Sequence, residues 1–171
     1  MSLAALLGKL LDSSGKIAQP KIADGVAGTG PAFSVSLGAT QSVSSGVAAK
    51  VQLNTEQFDT AGAFDATTNF RFQPTVAGYY LVTGRVAGAA STAGTVLSPM
   101  LYKNGAFLQN GQPYIPPSGS SSMTTTITGL VYLNGSTDYL ELWANNTGSG
   151  TNTFSAGVGV TFLQGALVRA G

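Results

Sequence analysis

The 171-residue chain contains neither cysteine nor histidine, and only 9% of its residues are charged. Without cysteine there is no disulfide framework and no thiolate nucleophile; without histidine as well, Cys/His zinc sites and imidazole-based triads are excluded. Stability must come from packing. Eight basic against seven acidic residues, a net charge of +1, create no field to steer nucleic acid or an acidic substrate, so neither is expected as a partner. Long apolar runs are also missing. The stretch SLAALLGKLLD at residues 2–12 falls short of the roughly 20 apolar residues that cross a bilayer, so no membrane insertion is expected. Lys9 inside it and Asp12 after it do not fit a secretory signal.

Gly, Ser, Thr, Asn and Ala take the place of the charges, a profile common in compact β-rich proteins. Strands begin at Ala32. Phe33, Val35 and Leu37 alternate with Ser34 and Ser36, Val47, Val51 and Leu53 follow, and Phe70 and Phe72 flank Arg71. Residues 79–86 place Tyr80, Val82 and Val86 on one strand face and Tyr79, Leu81 and Arg85 on the other. A strand over 96–102 meets Asn104-Gly105, a strong hairpin signal, and Phe107 and Leu108 begin the return. Residues 112–122, with three prolines, predict a surface loop. Strands resume over 124–133, Asn134-Gly135 predicts a second tight turn, and a strand over 139–144 leads into the polar loop NNTGSGTN. The last strand is expected from Phe154 through Val158, Val160 and Phe162 to Leu167. About ten strands without an internal helix predict an all-β antiparallel sandwich, with a jelly roll as its natural closed form.

Residues 1–31 are expected to form an anchor, and residues 32–171 the head domain. Leu3, Leu6, Leu7, Leu10 and Leu11 share one face of a short helix. A helix of about ten residues needs something to lie against, whether its own domain, a bundle of copies or a partner assembly. The linker that follows carries Ile17 and Ile22 in a pattern suited to lying extended along a partner.

The stretch from Phe58 to Leu81 resembles the core signature of the complement C1q/tumour necrosis factor-like family: Phe64-Asp65, Phe70 and Phe72, then Val76-Ala77-Gly78-Tyr79-Tyr80. Leu101-Tyr102-Lys103-Asn104-Gly105 resembles the family's Lys-Asn-Gly hairpin, GLVYLNGSTDYLELW (129–143) its penultimate hairpin, and Phe162 to Val168 its closing strand. The resemblance implies a jelly-roll head forming a homotrimer around its inner sheets. Tyr80, Val82, Leu142, Val160 and Phe162 are then candidates for core or trimer interface. No collagen-type Gly-x-y repeat precedes the head, and the low-charge Gly/Ser/Thr style resembles domains of bacteriophage and bacterial surface proteins.

Catalysis has little to work with. Asp59 with Asp65, and Asp138 with Glu141, are the carboxylate pairs available for glycosidase-type chemistry, and Asp59, Asp65 or Asp138 the oxygen ligands available to calcium. Acids beside Gly or Thr are by default turn formers, so no catalytic, cofactor or metal site is expected. Taken with the resemblance, the sequence reads as a non-enzymatic virion protein: a trimeric knob on a phage capsid or tail, held on the particle surface by residues 1–31 through other virion proteins. The alternative is a receptor-binding head. In that reading loop residues such as Tyr114, Ser118, Asn145 and Asn146 recognise a host cell-surface glycan or protein.

Overall fold

A computed structural model of the chain describes residues 30–89, 95–115, 122–148 and 152–171. The anchor residues Leu3, Leu6, Leu7, Leu10, Leu11, Ile17 and Ile22, and the loop residue Ser118, lie outside the described residues. Among the described residues thirteen strands make two antiparallel sheets, where about ten strands were expected. In the first sheet, β4 (Thr55–Asp59), β1 (Ala32–Ser36), β13 (Phe162–Ala170), β7 (Gly78–Gly88) and β10 (Met123–Leu133) lie side by side in that order. β12 (Asn152–Phe154) meets the Gly88 end of β7 and carries β2 (Gln41–Val43) beyond it. The second sheet runs β5 (Phe64–Asp65), β6 (Arg71–Phe72), β11 (Leu140–Asn146), β8 (Leu97–Lys103) and β9 (Ala106–Asn110), with β3 (Ala49–Lys50) also paired to β11.

Alternation builds the sandwich. Along β10 every other residue from Met123 to Leu133 is buried and the residues between are exposed, the period-two pattern of a strand with one face in a core. In β7, Tyr80, Val82 and Val86 point into that core as expected, and across the sandwich Leu101, Leu140 and Leu142 meet them. At one end the Phe33 and Phe72 rings stack with centroids 4.0 Å apart, and Tyr80 meets Phe72 edge-on at 5.4 Å. The fully buried Tyr80 hydroxyl donates to the Val76 carbonyl at 2.8 Å. Burial pushes its pKa up to about 12, because the phenolate has no water to solvate it.

The turns divide into those that local sequence dictates and those it does not. Asn104 and Gly105 both have positive φ, at 55° and 74°, as a two-residue type I′ hairpin between β8 and β9 requires. Asn134-Gly135 is no such hairpin, because β10 and β11 belong to different sheets. It is a corner between layers, in which the Asn134 side-chain oxygen accepts from the amides of Ser136, Thr137 and Asp138. Gly135 has a φ of +70°, and a Cβ there would lie 2.8 Å from the carbonyl carbon of Val76. The expected last strand is also broken. Gly157 and Gly159, at positive φ, separate β12 from β13, so Val158 and Val160 lie in a turn.

Val51 and Leu53 are fully buried but flank the sheets rather than forming a strand of their own. The polar loop expected from Asn145 starts later, since Asn145 and Asn146 pair with Ser98 and Leu97 as the last residues of β11. No helix among the described residues is long and apolar enough to cross a membrane.

Candidate functional site: an exposed apolar sheet face

The strands that bury Tyr80 and Val82 necessarily turn their neighbours outward. On the outer face of the first sheet stand Tyr79 and Leu81 from β7, Leu130 and Tyr132 from β10, Phe58 from β4 and Val168 from β13. Leu130 is 62% exposed, Phe58 50% and Leu81 47%. Register joins them. Tyr79 lies opposite Tyr132 and Leu81 opposite Leu130, and the two tyrosine rings sit 5.3 Å apart. Tyr79, Leu130, Tyr132, Val168 and Arg169 line an open depression of about 620 Å³. A second, of about 330 Å³, runs between Phe58, Leu81 and Ala166. Water meets a contiguous apolar surface here, of the kind that marks an interaction site.

Further along the same strands the face turns polar. Thr83 and Thr128 share a hydroxyl hydrogen bond at 3.2 Å, and Ser34 and Ser36 bond the Gln57 amide oxygen. Arg85 follows on β7, with a buried Nε that has no hydrogen-bond partner.

The outer face of the second sheet differs in kind. Trp143 and Tyr102 stack with centroids 4.5 Å apart, and Phe107 meets Tyr102 edge-on at 6.0 Å. This aromatic ladder crosses three strands. Glu141 lies beneath it, 3% exposed, bonded to the Trp143 indole N–H at 3.0 Å and paired with Lys50 at 2.6 Å.

The acids considered for catalysis or calcium are occupied in structural roles. Asp59 accepts from the amides of Ala61 and Phe64. Asp65 accepts from the Thr68 and Thr67 amides and the Asn69 side chain, which hold its pKa far below the usual carboxylate range. Asp138 bonds the Lys103 ammonium at 2.8 Å and the Asn104 amide at 2.7 Å, and its pKa is lowered by those bonds in that order. Asp138 and Glu141 thus serve two different lysines. Among the described residues no group of three or more acidic side chains could hold a metal ion.

Of the residues nominated as core or interface, Tyr80, Val82 and Leu142 are buried between the sheets, while Val160 and Phe162 are half-buried. Phe162 lies opposite Arg85 and so on the outer face, whose apolar part is made by the outward neighbours of Tyr80 and Val82. The signal for it was present: Tyr79 to Val82 and Leu130 to Leu133 are unbroken apolar runs, as in strands covered on both faces. Of the nominated loop residues, Tyr114 is exposed and bridges to Leu97. Asn146 is fully buried, and its side-chain oxygen accepts from the Gly148 amide.

No protein-family model and no curated protein matches the chain. Solved structures do. The globular domain of zebrafish complement 1qA superposes with a TM-score of 0.60 at 18% identity, covering 82% of this chain and 99% of that one. Eiger TNF from S. frugiperda gives 0.59 at 15% identity, over 82% of this chain and 92% of that one. Murine APRIL at pH 5.0 gives 0.60 at 15% identity, over 80% and 97%. The two antiparallel sheets and these superpositions together identify the fold as the C1q/TNF-like jelly roll.

Proposed function

We propose that the chain is a non-enzymatic structural head that assembles as a homotrimer through the outer face of its first sheet, forming a knob on the surface of a bacteriophage capsid or tail. The observation that carries the assembly is the exposed apolar face of Tyr79, Leu81, Leu130 and Tyr132. Rotation of three copies about a common axis covers such a face on each of them and leaves a closed particle. Low charge favours the same use, since few ions must be desolvated. The virion setting draws on the Gly/Ser/Thr-rich, low-charge style of the chain, and the leucine pattern of residues 1–31 supplies the attachment. Sedimentation at micromolar concentration tests the assembly: a trimer is expected for the intact chain and monomers for Leu130→Glu, and a monomeric wild type would refute it. Deleting residues 1–31 should abolish incorporation into particles, and unchanged incorporation would refute the anchor.

A second reading, a head that binds a host surface glycan, is favoured by the Trp143–Tyr102–Phe107 ladder, because sugar rings stack on aromatic faces. A glycan array probed with the intact chain tests it. Binding lost in Phe107→Ala, or in Tyr114→Ala on the loop after β9, supports it, and an array without signal refutes it.

A further inference from the structure

We infer that residues 22–26 of the N-terminal arm dock in the depression beside Tyr79 and Tyr132 on the head of the same chain, with Ile22 and Val26 among its apolar side chains and Asp24 on Arg169. The depression lies at the end of the first sheet where β7 begins, and Tyr79, Leu130, Tyr132, Val168 and Arg169 line it. Its volume of about 620 Å³ is of the size that binding pockets have. Arg169 is exposed on β13, and the ion pairs among the described residues belong to other cations, Lys50 and Lys103. The site therefore suits a segment that brings apolar side chains with one acid close beside them.

The course of the chain brings such a segment within reach. The chain enters β1 through Gly30 and Pro31, and the Pro31 carbonyl accepts from the amide of Leu167 at 2.9 Å, next to Val168 in the wall of the depression. From β1 the sheet runs through β13 and β7 to β10. The far wall, Leu130 and Tyr132, is thus three strand spacings away, about 14 Å. Val26, five residues ahead of Pro31, reaches at most about 18 Å along an extended chain, and Ile22, nine residues ahead, about 32 Å. Between residues 13 and 30 the large apolar side chains are Ile17, Ile22 and Val26, and the one acid is Asp24. Asp24 stands midway between the two apolar residues nearest the head. Two apolar side chains bracketing a carboxylate match an apolar hollow with a guanidinium that has no acid partner among the described residues. The tether favours this occupant over a second copy, because a segment a few residues away acts at an effective concentration on the order of millimolar. Docking there fills the hollow within each chain, whether or not the copies assemble, and starts the leucine-rich stretch of residues 3–11 from that end of the head.

Disulfide trapping on the full chain tests the docking, and a chain without cysteine offers no competing thiol. Ile22→Cys with Leu130→Cys should form an intrachain disulfide about ten times faster, or more, than Ile22→Cys with Asn110→Cys on the second sheet. Tyr132→Cys in place of Leu130→Cys keeps the test valid should Leu130→Cys fold poorly. Arg169→Glu and Asp24→Arg should each slow the trapping about 2- to 5-fold, the range for an exposed ion pair, and the two together should restore it. Equal rates for the two cysteine pairs, or disulfides that join different chains, would overturn the docking. Charge variants that trap like their parent would overturn the Asp24–Arg169 contact. The readout lies within one chain, so it separates from assembly: a monomeric wild type whose variant still traps the disulfide refutes the trimer alone, and a trimer whose variant does not trap it refutes the docking alone.

Discussion

Replacing Asp138 by Asn should cost the head stability at neutral pH and remove part of its sensitivity to acid. Asp138 lies at the corner between β10 and β11, with its side chain 12% exposed and Lys103 at 2.8 Å. Its carboxylate also accepts from the Asn104 side chain at 2.7 Å and the Asn134 amide at 3.1 Å. One residue therefore ties the β8–β9 hairpin to the turn joining the sheets. Asn has the same shape but offers one acceptor oxygen and no charge, so the Lys103 ammonium loses its carboxylate and keeps the Tyr132 carbonyl at 2.8 Å. Hydrogen bonds to charged groups contribute about 1.5–3 kcal/mol, and a partly buried ammonium without a counter-charge adds to that. A loss of about 3 kcal/mol corresponds to a fall in melting temperature of roughly 6–12 °C for a domain of this size. The sign of the pH dependence follows from the lowered pKa. A carboxylate whose folded pKa lies below its unfolded value contributes stability that is fully present above the unfolded value, 3.8, and is lost as pH falls through the folded one. Asp65 titrates in the same direction, so the wild-type curve alone does not isolate Asp138. The gap between wild type and Asp138→Asn does. Thermal unfolding at one fixed protein concentration should show that gap widest near pH 7 and shrinking below pH 4. A gap independent of pH, or no gap at pH 7, would refute the role assigned to the carboxylate.

Two further outcomes are expected from the backbone and the core. Gly135→Ala should destabilise by about 2–4 kcal/mol, since the new Cβ adds overpacking to the strain of a left-handed residue; Gly46→Ala, at a similar φ of +73° with nothing within 4 Å, should cost only about 1–2 kcal/mol. Equal losses in urea unfolding would mean that the close approach at the corner is not what requires glycine. Tyr80→Phe should cost about 1–2 kcal/mol at neutral pH, because the Val76 carbonyl loses its partner. Tyr80 has its folded pKa raised to about 12 from 10.0, so its contribution is intact below pH 10 and fades as pH rises toward 12. Wild type and Tyr80→Phe should therefore converge in stability across that window, and parallel curves would count against burial as the cause.

The parts of this fold that were legible in the sequence are those fixed by neighbours along the chain. Alternation told which way Tyr80 and Val82 face, and Asn104-Gly105 formed the hairpin that its φ preferences require. Asn134-Gly135 carries the same dipeptide and became a corner, because hairpin or corner depends on whether the next strand joins the same sheet, and that is decided by core packing. Asn145 and Asn146 looked like loop on polarity, yet the β8 ladder continues through them. The exposed face was left open for a related reason. Alternation sorts residues into two faces but does not say that both will be apolar, so Tyr80, Val82 and Phe162 were named as core or interface with no face chosen, and Tyr79, Leu81, Leu130 and Tyr132 were passed over.

Low charge takes on a more specific meaning once the partners are known. The structure does not simply lack ions; it uses the few it has to fasten strands and turns from within, as with Lys50, Lys103, Asp65 and Asp138. A surface so emptied of charge offers water little to hold on an apolar sheet face, which promotes association without choosing its geometry. Hydrophobic contact is non-directional, and three faces of this kind are able to slide along the strand direction at small cost. Arg85 stands on that face with a buried Nε that has no hydrogen-bond partner, so a register that brings no acceptor to it would leave a guanidinium N–H unpaired in the interface. One unmet polar demand in an otherwise apolar contact therefore disfavours arrangements that the apolar residues alone would permit.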